Sequence, residues 1–243
     1  MRCVIARVVL VLSAMIGALP AHAAEPGPGA GTPPERILFF LGSDVWQHGK
    51  FGYGGFLWSP DGLDNAGFTL KGLVAGGVYD YLSGALGDAQ VDGRQIVVAA
   101  QPGWRFKNDQ WIVTLFAGPE LTNNRLTPND PGSKTAGTHL GASGGVDVWY
   151  QPTASWMVAL NGSLNDRKSY SARAAFGTLL LDQFFLGPEA QTFGGDDYWQ
   201  YRLGLQATGV KFGAIEVSLG AGWAEDSDNR SGAYGYLSVL TRQ

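Results

Sequence analysis

The chain has 243 residues, 36 of them glycine, about twice the usual share, and only 16% are charged against roughly a quarter in a typical soluble protein. With 12% aromatic residues it is no disordered chain, and so much glycine argues against a helical protein. The single cysteine, Cys3, excludes disulfide scaffolds and cysteine-ligated zinc, and the formal charge of −4 leaves no basic surplus for nucleic acid.

Residues 1–23 read as a secretory signal peptide. Arg2 and Arg7 precede an apolar run over 8–18, and Ala21-His22-Ala23 offers a small-x-small cleavage signal. The run is too short to span a bilayer, and Cys3 precedes it, which argues against a lipid anchor. Residues 24–35 are rich in Pro and Gly and read as a flexible tether. The folded domain is expected over 36–243.

From there the hydrophobic pattern keeps a period of two. Strands are expected at 36–46, 50–59, 66–82, 91–106, 110–122, 135–150, 154–163, 169–178, 183–193, 198–208, 214–224 and 232–241. The clearest places Trp199, Tyr201, Leu203, Leu205 and Ala207 on one face and Gln200, Arg202, Gln206 and Thr208 on the other. Tight connections such as 107–109, 151–153 and 210–213 alternate with longer polar ones such as 123–134, as in outer-membrane barrels. A soluble sandwich or lipocalin-like barrel also alternates. Three features favour a membrane barrel. The polar faces carry Gly, Ser, Thr and single charges, and the strands have about the length needed to cross a bilayer tilted. Aromatics also gather near strand ends (Trp46, Trp58, Tyr79, Tyr81, Trp104, Phe106, Trp111, Trp149, Tyr150, Tyr170, Tyr198, Trp199 and Trp223), where interfacial girdles form. The expected fold is all-β, a closed antiparallel transmembrane barrel of about twelve strands.

By parity, the enclosed face carries Lys71, Arg105, Arg173 and Arg202 with Glu120, Asp147, Glu189 and Glu216, charges able to pair across a constricted lumen. Phe116, Trp149 and Phe185 fall on the same face and are candidates for stacking on a ligand. Ser59-Pro60-Asp61-Gly62 reads as a turn, and Pro119 and Pro188 are expected at bulges or strand ends because proline cannot donate a ladder bond. His139 lies on one strand face with Ser143 and Asp147, spaced too widely for a Ser-His-Asp relay. No phosphate loop, metal-ligand cluster or nucleophile elbow is present, so neither enzyme activity nor a cofactor is expected.

Phe56-Leu57-Trp58-Ser59-Pro60, followed by Gly62-Leu63-Asp64, Gly67-Phe68 and Leu70-Lys71, resembles the cellulose biosynthesis protein BcsS family. The two triplets Gly118-Pro119-Glu120 and Gly187-Pro188-Glu189 are similar to inner strands of that family, and the likeness runs from about Gly42 to the C-terminus. The resemblance implies a Gram-negative envelope protein of exopolysaccharide production and brings no catalytic residues. The expectation is an outer-membrane barrel, in contact with outer-membrane lipid, that serves cellulose export or assembly as a pore or scaffold. Its expected partners are cellulose or another glucan, with Phe116, Trp149 and Phe185 as the candidates to stack on its rings, and subunits of the cellulose synthase complex. A periplasmic domain binding polysaccharide or a synthase subunit, and a small general porin, remain as alternatives.

Overall fold

The computed structural model describes residues 34–195 and 198–243. The leader and nearly all of the tether therefore lie outside the described residues. Among the described residues twelve strands form: β1 (Ile37–Trp46), β2 (Gly49–Trp58), β3 (Gly67–Ser83), β4 (Ala89–Lys107), β5 (Trp111–Thr127), β6 (Gly137–Thr153), β7 (Trp156–Asn165), β8 (Tyr170–Leu180), β9 (Phe184–Gly195), β10 (Tyr198–Phe212), β11 (Ile215–Asp226) and β12 (Ser231–Arg242). Each pairs antiparallel with its sequence neighbour, and β1 closes on β12. A closed barrel leaves no unpaired edge.

The strands match the sequence expectation and mostly extend it. The tail of β5 reads as loop because of Asn123, Asn124 and Arg125, yet these residues stay paired with Ile96, Gln95 and Arg94 of β4. Together β3 to β6 make a tall wall of 17 to 19 residues per strand, against 10 to 12 in β1, β2 and β7 to β9. The first described residues, the C-terminus and the connection 59–66 lie at one mouth, called here the terminal mouth; turns 47–48 and 227–230 and loop 128–136 lie at the other, the loop mouth.

The two faces invert the order of a soluble protein. On β10, Leu203 and Leu205 are 69% and 61% exposed, while Gln200 and Arg202, at positions of the opposite parity, are 0% and 3% exposed. The same alternation runs along β4, with Ile96, Val98 and Trp104 outside and Gln95, Val97 and Ala99 inside. An apolar wall turned outward around polar groups is the surface of a barrel that lipid surrounds, so a soluble sandwich is excluded.

The aromatic girdles need a correction. Trp58, Trp104 and Phe106 face outward near the terminal mouth and Trp199 and Trp223 near the loop mouth, but Trp46, Tyr79, Tyr81, Trp149 and Tyr198 are buried inside. Position near a strand end sets depth in the membrane; parity alone sets the face. The inward rings explain part of the glycine content. Tyr79 lies against its ladder partner Gly93, and Tyr236 against Gly220, where a Cβ would occupy the ring's position.

Two further expectations are overturned. Pro119 and Pro188 stand within β5 and β9 rather than at bulges or ends, and the register is unshifted across each. Instead the ladder lapses beside them, at 100–102 against 117–119 and at 176–177 against 187–188, while pairing continues on the opposite side. A local gap in one ladder accommodates the missing N–H without a bulge. The alternation of short and long connections also fails at 59–66, a long connection among the short turns of the terminal mouth.

Candidate functional site

The lumen is filled by side chains in layers. Near the terminal mouth, Leu38, Phe40, Tyr53, Leu57 and Leu63 pack with Phe116; near the loop mouth, Phe51, Tyr79, Tyr81, Val91 and Tyr198 form a second cluster. Charged groups lie between and across these layers.

Glu189 on β9 accepts four hydrogen bonds. Its Oε2 accepts from Arg173 Nε at 2.9 Å and from the Tyr236 hydroxyl at 2.8 Å; its Oε1 accepts from the Tyr234 hydroxyl at 2.9 Å and Gln191 Nε2 at 3.0 Å. Arg173 also donates to the Tyr236 oxygen at 3.0 Å, so β8, β9 and β12 are tied through one carboxylate. Lys71 of β3 reaches Asp147 of β6 at 3.6 Å and lies over the Phe116 ring at 4.8 Å. Asp147 accepts a further bond from Asn161 at 2.9 Å.

The other predicted charges are not paired with one another. Arg202 makes a bidentate contact with Asp44 of β1 at 2.6 and 3.0 Å, a partner the sequence reading missed, and stands between the Phe193 and Tyr234 rings. Glu120 accepts from Asn165 at 2.9 Å. Arg105 donates to the Leu63 carbonyl and to Thr114, and so ties down the connection 59–66. That connection holds much of the motif block noted above. It is a turn, as expected, with Gly62 at φ 100° and Ser59 Oγ donating to the Gly62 carbonyl at 3.0 Å. It is also a plug: Ser59 and Leu63 are buried in the terminal mouth.

The rest of the terminal mouth is a vestibule of about 870 Å³, running from the β4–β5 turn to the β10–β11 turn. Trp149, Phe184, Phe185 and Phe212 give it apolar walls, and Gln151, Gln183 and Lys211 are among its polar groups. Trp149 and Phe185 meet edge to face with centroids 6.0 Å apart, and Trp149 Nε1 donates to Gln151 at 3.2 Å. Glu216 also lines this space; its Oε1 is buried without a hydrogen-bond partner. Two of the three candidate stacking residues thus share the vestibule. Phe116 does not: packed in the core beneath Lys71, it has no open face to offer.

A second charged group, not anticipated from sequence, closes the loop mouth. Arg230 donates to Asp226 at 2.6 Å and to Asp80 at 3.2 Å, approaches Asp228 at 3.5 Å, and lies over the Trp46 ring. Burial pushes the Asp228 carboxyl above its ordinary range, with Arg230 acting in the opposite direction. His48 Nδ1 lies 2.9 Å from Asp80, and His139 pairs with Asp166 at 3.0 Å rather than with Ser143 or Asp147. Arg230 and Asp228 stand in the turn 227–230 and His48 in the turn 47–48, so strand periodicity did not announce the group.

Residues 38–243 match the family described as cellulose biosynthesis protein BcsS. The chain belongs to that family. This BcsS-family barrel is similar in fold to the COG4313 outer membrane channel from Pseudomonas putida F1, at 11% identity over 91% of this chain and 100% of that one, with a TM-score of 0.56. It is also similar to the translocator domain of the autotransporter NalP from Neisseria meningitidis, at 12% identity over 89% and 90% of the two chains, with a TM-score of 0.50. A KdgM porin aligns at 12% identity over 84% of this chain and 98% of that one, with a TM-score of 0.46. No protein of curated function matches. The BcsS-family chain is thus an outer-membrane-type barrel associated with cellulose biosynthesis, which agrees with the expectation from its sequence.

Proposed function

We propose that this barrel is an accessory scaffold of cellulose biosynthesis in the outer membrane that holds a glucan segment in its terminal-mouth vestibule, and that it is not an open conduit. The observation that carries this reading is Glu216, a buried carboxylate whose Oε1 lacks a partner, on the wall of a cavity also lined by Trp149 and Phe185. A buried acceptor left unsatisfied calls for a donor, and sugar hydroxyls supply one while aromatic rings cover the pyranose C–H faces. The cavity volume falls in the range of small-ligand sites. Behind it the lumen is packed, which supports holding over passage. In an outer-membrane barrel the mouth with mostly short turns faces the periplasm, so the vestibule opens on that side.

The reading assigns the vestibule to binding without hydrolysis. Cello-oligosaccharide titrated into the refolded barrel is expected to change tryptophan fluorescence saturably, and Phe185→Ala to weaken binding about tenfold, the loss of one ring stacked against a sugar. Planar bilayers containing the barrel should show no steady open-channel current. Steady conductance with no response to oligosaccharide would favour the porin alternative, and release of reducing sugar would make the protein an enzyme.

A further inference from the structure

The outer wall carries cations where lipid should lie. Lys50, Arg94 and Arg125 are all exposed and outward-facing, on β2, β4 and β5 near the loop mouth. They occupy one row of the ladder: Lys50 pairs with Val78, Val78 with Arg94, and Arg94 with Arg125. Directly opposed residues stand about 5 Å apart, so Arg94 and Arg125 set like charges side by side, an arrangement that destabilises a sheet unless an anion joins them.

The protein itself supplies no such anion. Among the described residues, none of the three cations has a hydrogen bond or an ion pair. Two carboxylates share the groove of about 640 Å³ that they line, Asp80 and Asp92. Asp80 is held by His48 and Arg230, and Asp92 accepts from Gln90 at 3.1 Å.

What lies beneath the row identifies the ligand class. Within the next two rows toward the terminal mouth come Ile96, then Val74, Val98 and Leu121, followed around the wall by Leu140; these are 42% to 72% exposed. Successive rows on one face are about 7 Å apart. A lipid whose acyl chains lie on that apolar strip would bring its headgroup to the cations, and arginine pairs suit phosphate oxygens. We propose that Lys50, Arg94 and Arg125 form a binding site for the phosphate of an anionic lipid headgroup in the leaflet at the loop mouth. The site is separate from the vestibule, and its test does not depend on glucan binding.

The test is native mass spectrometry of the barrel in neutral detergent micelles titrated with bis-phosphorylated lipid A. Wild type is expected to retain one equivalent. Lys50→Gln/Arg94→Gln/Arg125→Gln should bind about a hundredfold more weakly, and Arg94→Gln alone about fivefold, following the contribution of each cation beside an anionic lipid. Arg94→Lys/Arg125→Lys should keep most of the binding. Heat-modifiable migration on gels confirms that each variant is folded; should the triple variant fail to fold, the single and the lysine variants decide. Equal retention by wild type and Arg94→Gln, or equal retention of dephosphorylated lipid A, would overturn the proposal. Full displacement of the lipid by millimolar inorganic phosphate would assign the site to a free anion instead and overturn the lipid reading.

Discussion

Glu189→Ala is expected to destabilise the barrel by about 3–5 kcal/mol, the range for removing one partner of a buried ion pair. The Glu189 side chain is fully buried and that of Arg173 is 10% exposed, so solvent cannot replace what is lost. The substitution leaves the Arg173 guanidinium without its carboxylate and strips acceptors from Tyr234, Tyr236 and Gln191 at once. Glu189→Gln keeps one acceptor oxygen and should cost clearly less. Urea unfolding of the refolded barrel in detergent, followed by tryptophan emission, measures both. Equal and small losses would mean that the network merely hydrates the lumen wall.

Leu205→Arg should cost about 2–4 kcal/mol in a bilayer, the penalty for a cation near the midplane on the lipid face of a barrel. Leu205 stands 61% exposed in the middle of β10, between Trp199 near the loop mouth and Phe212 at the terminal mouth. On a water-facing sheet the same change would be close to neutral, because exposed substitutions away from packing features usually are. Unfolding in phosphatidylcholine vesicles separates the two cases: a midpoint unchanged from wild type would deny that this face meets acyl chains.

The strands were legible because a barrel wall obeys parity along its length. Gln200, Arg202 and Gln206 point inward and Leu203 and Leu205 outward, as a period of two demands. Parity also assigned all eight charges to the enclosed face, where the structure joins Lys71 to Asp147 and Arg173 to Glu189. It could not say which inward residues meet across the bore, since strand tilt and register decide that after closure. Arg202 therefore pairs with Asp44, 158 residues away, rather than with any acid on the candidate face. The loop-mouth group around Arg230 depends on turns 47–48 and 227–230 converging and leaves no periodic trace. Phe116 shows the same limit in the other direction: parity placed it inside, but only packing revealed that Lys71 and the core cover it. The motif block at 56–71 identified a family, while its physical role as a plug emerged from Leu63 and Arg105 meeting in the mouth.

The most direct test of the account is quenching by brominated lipid in two single-tryptophan versions of the refolded protein. One retains only Trp104, 52% exposed on the outer wall, and the other only Trp149, 5% exposed in the lumen. In vesicles of phosphatidylcholine brominated along the acyl chain, Trp104 emission should fall steeply and Trp149 emission should hardly change. Equal quenching of both, or none of either, would contradict a wall whose apolar side faces the membrane and whose polar side is enclosed.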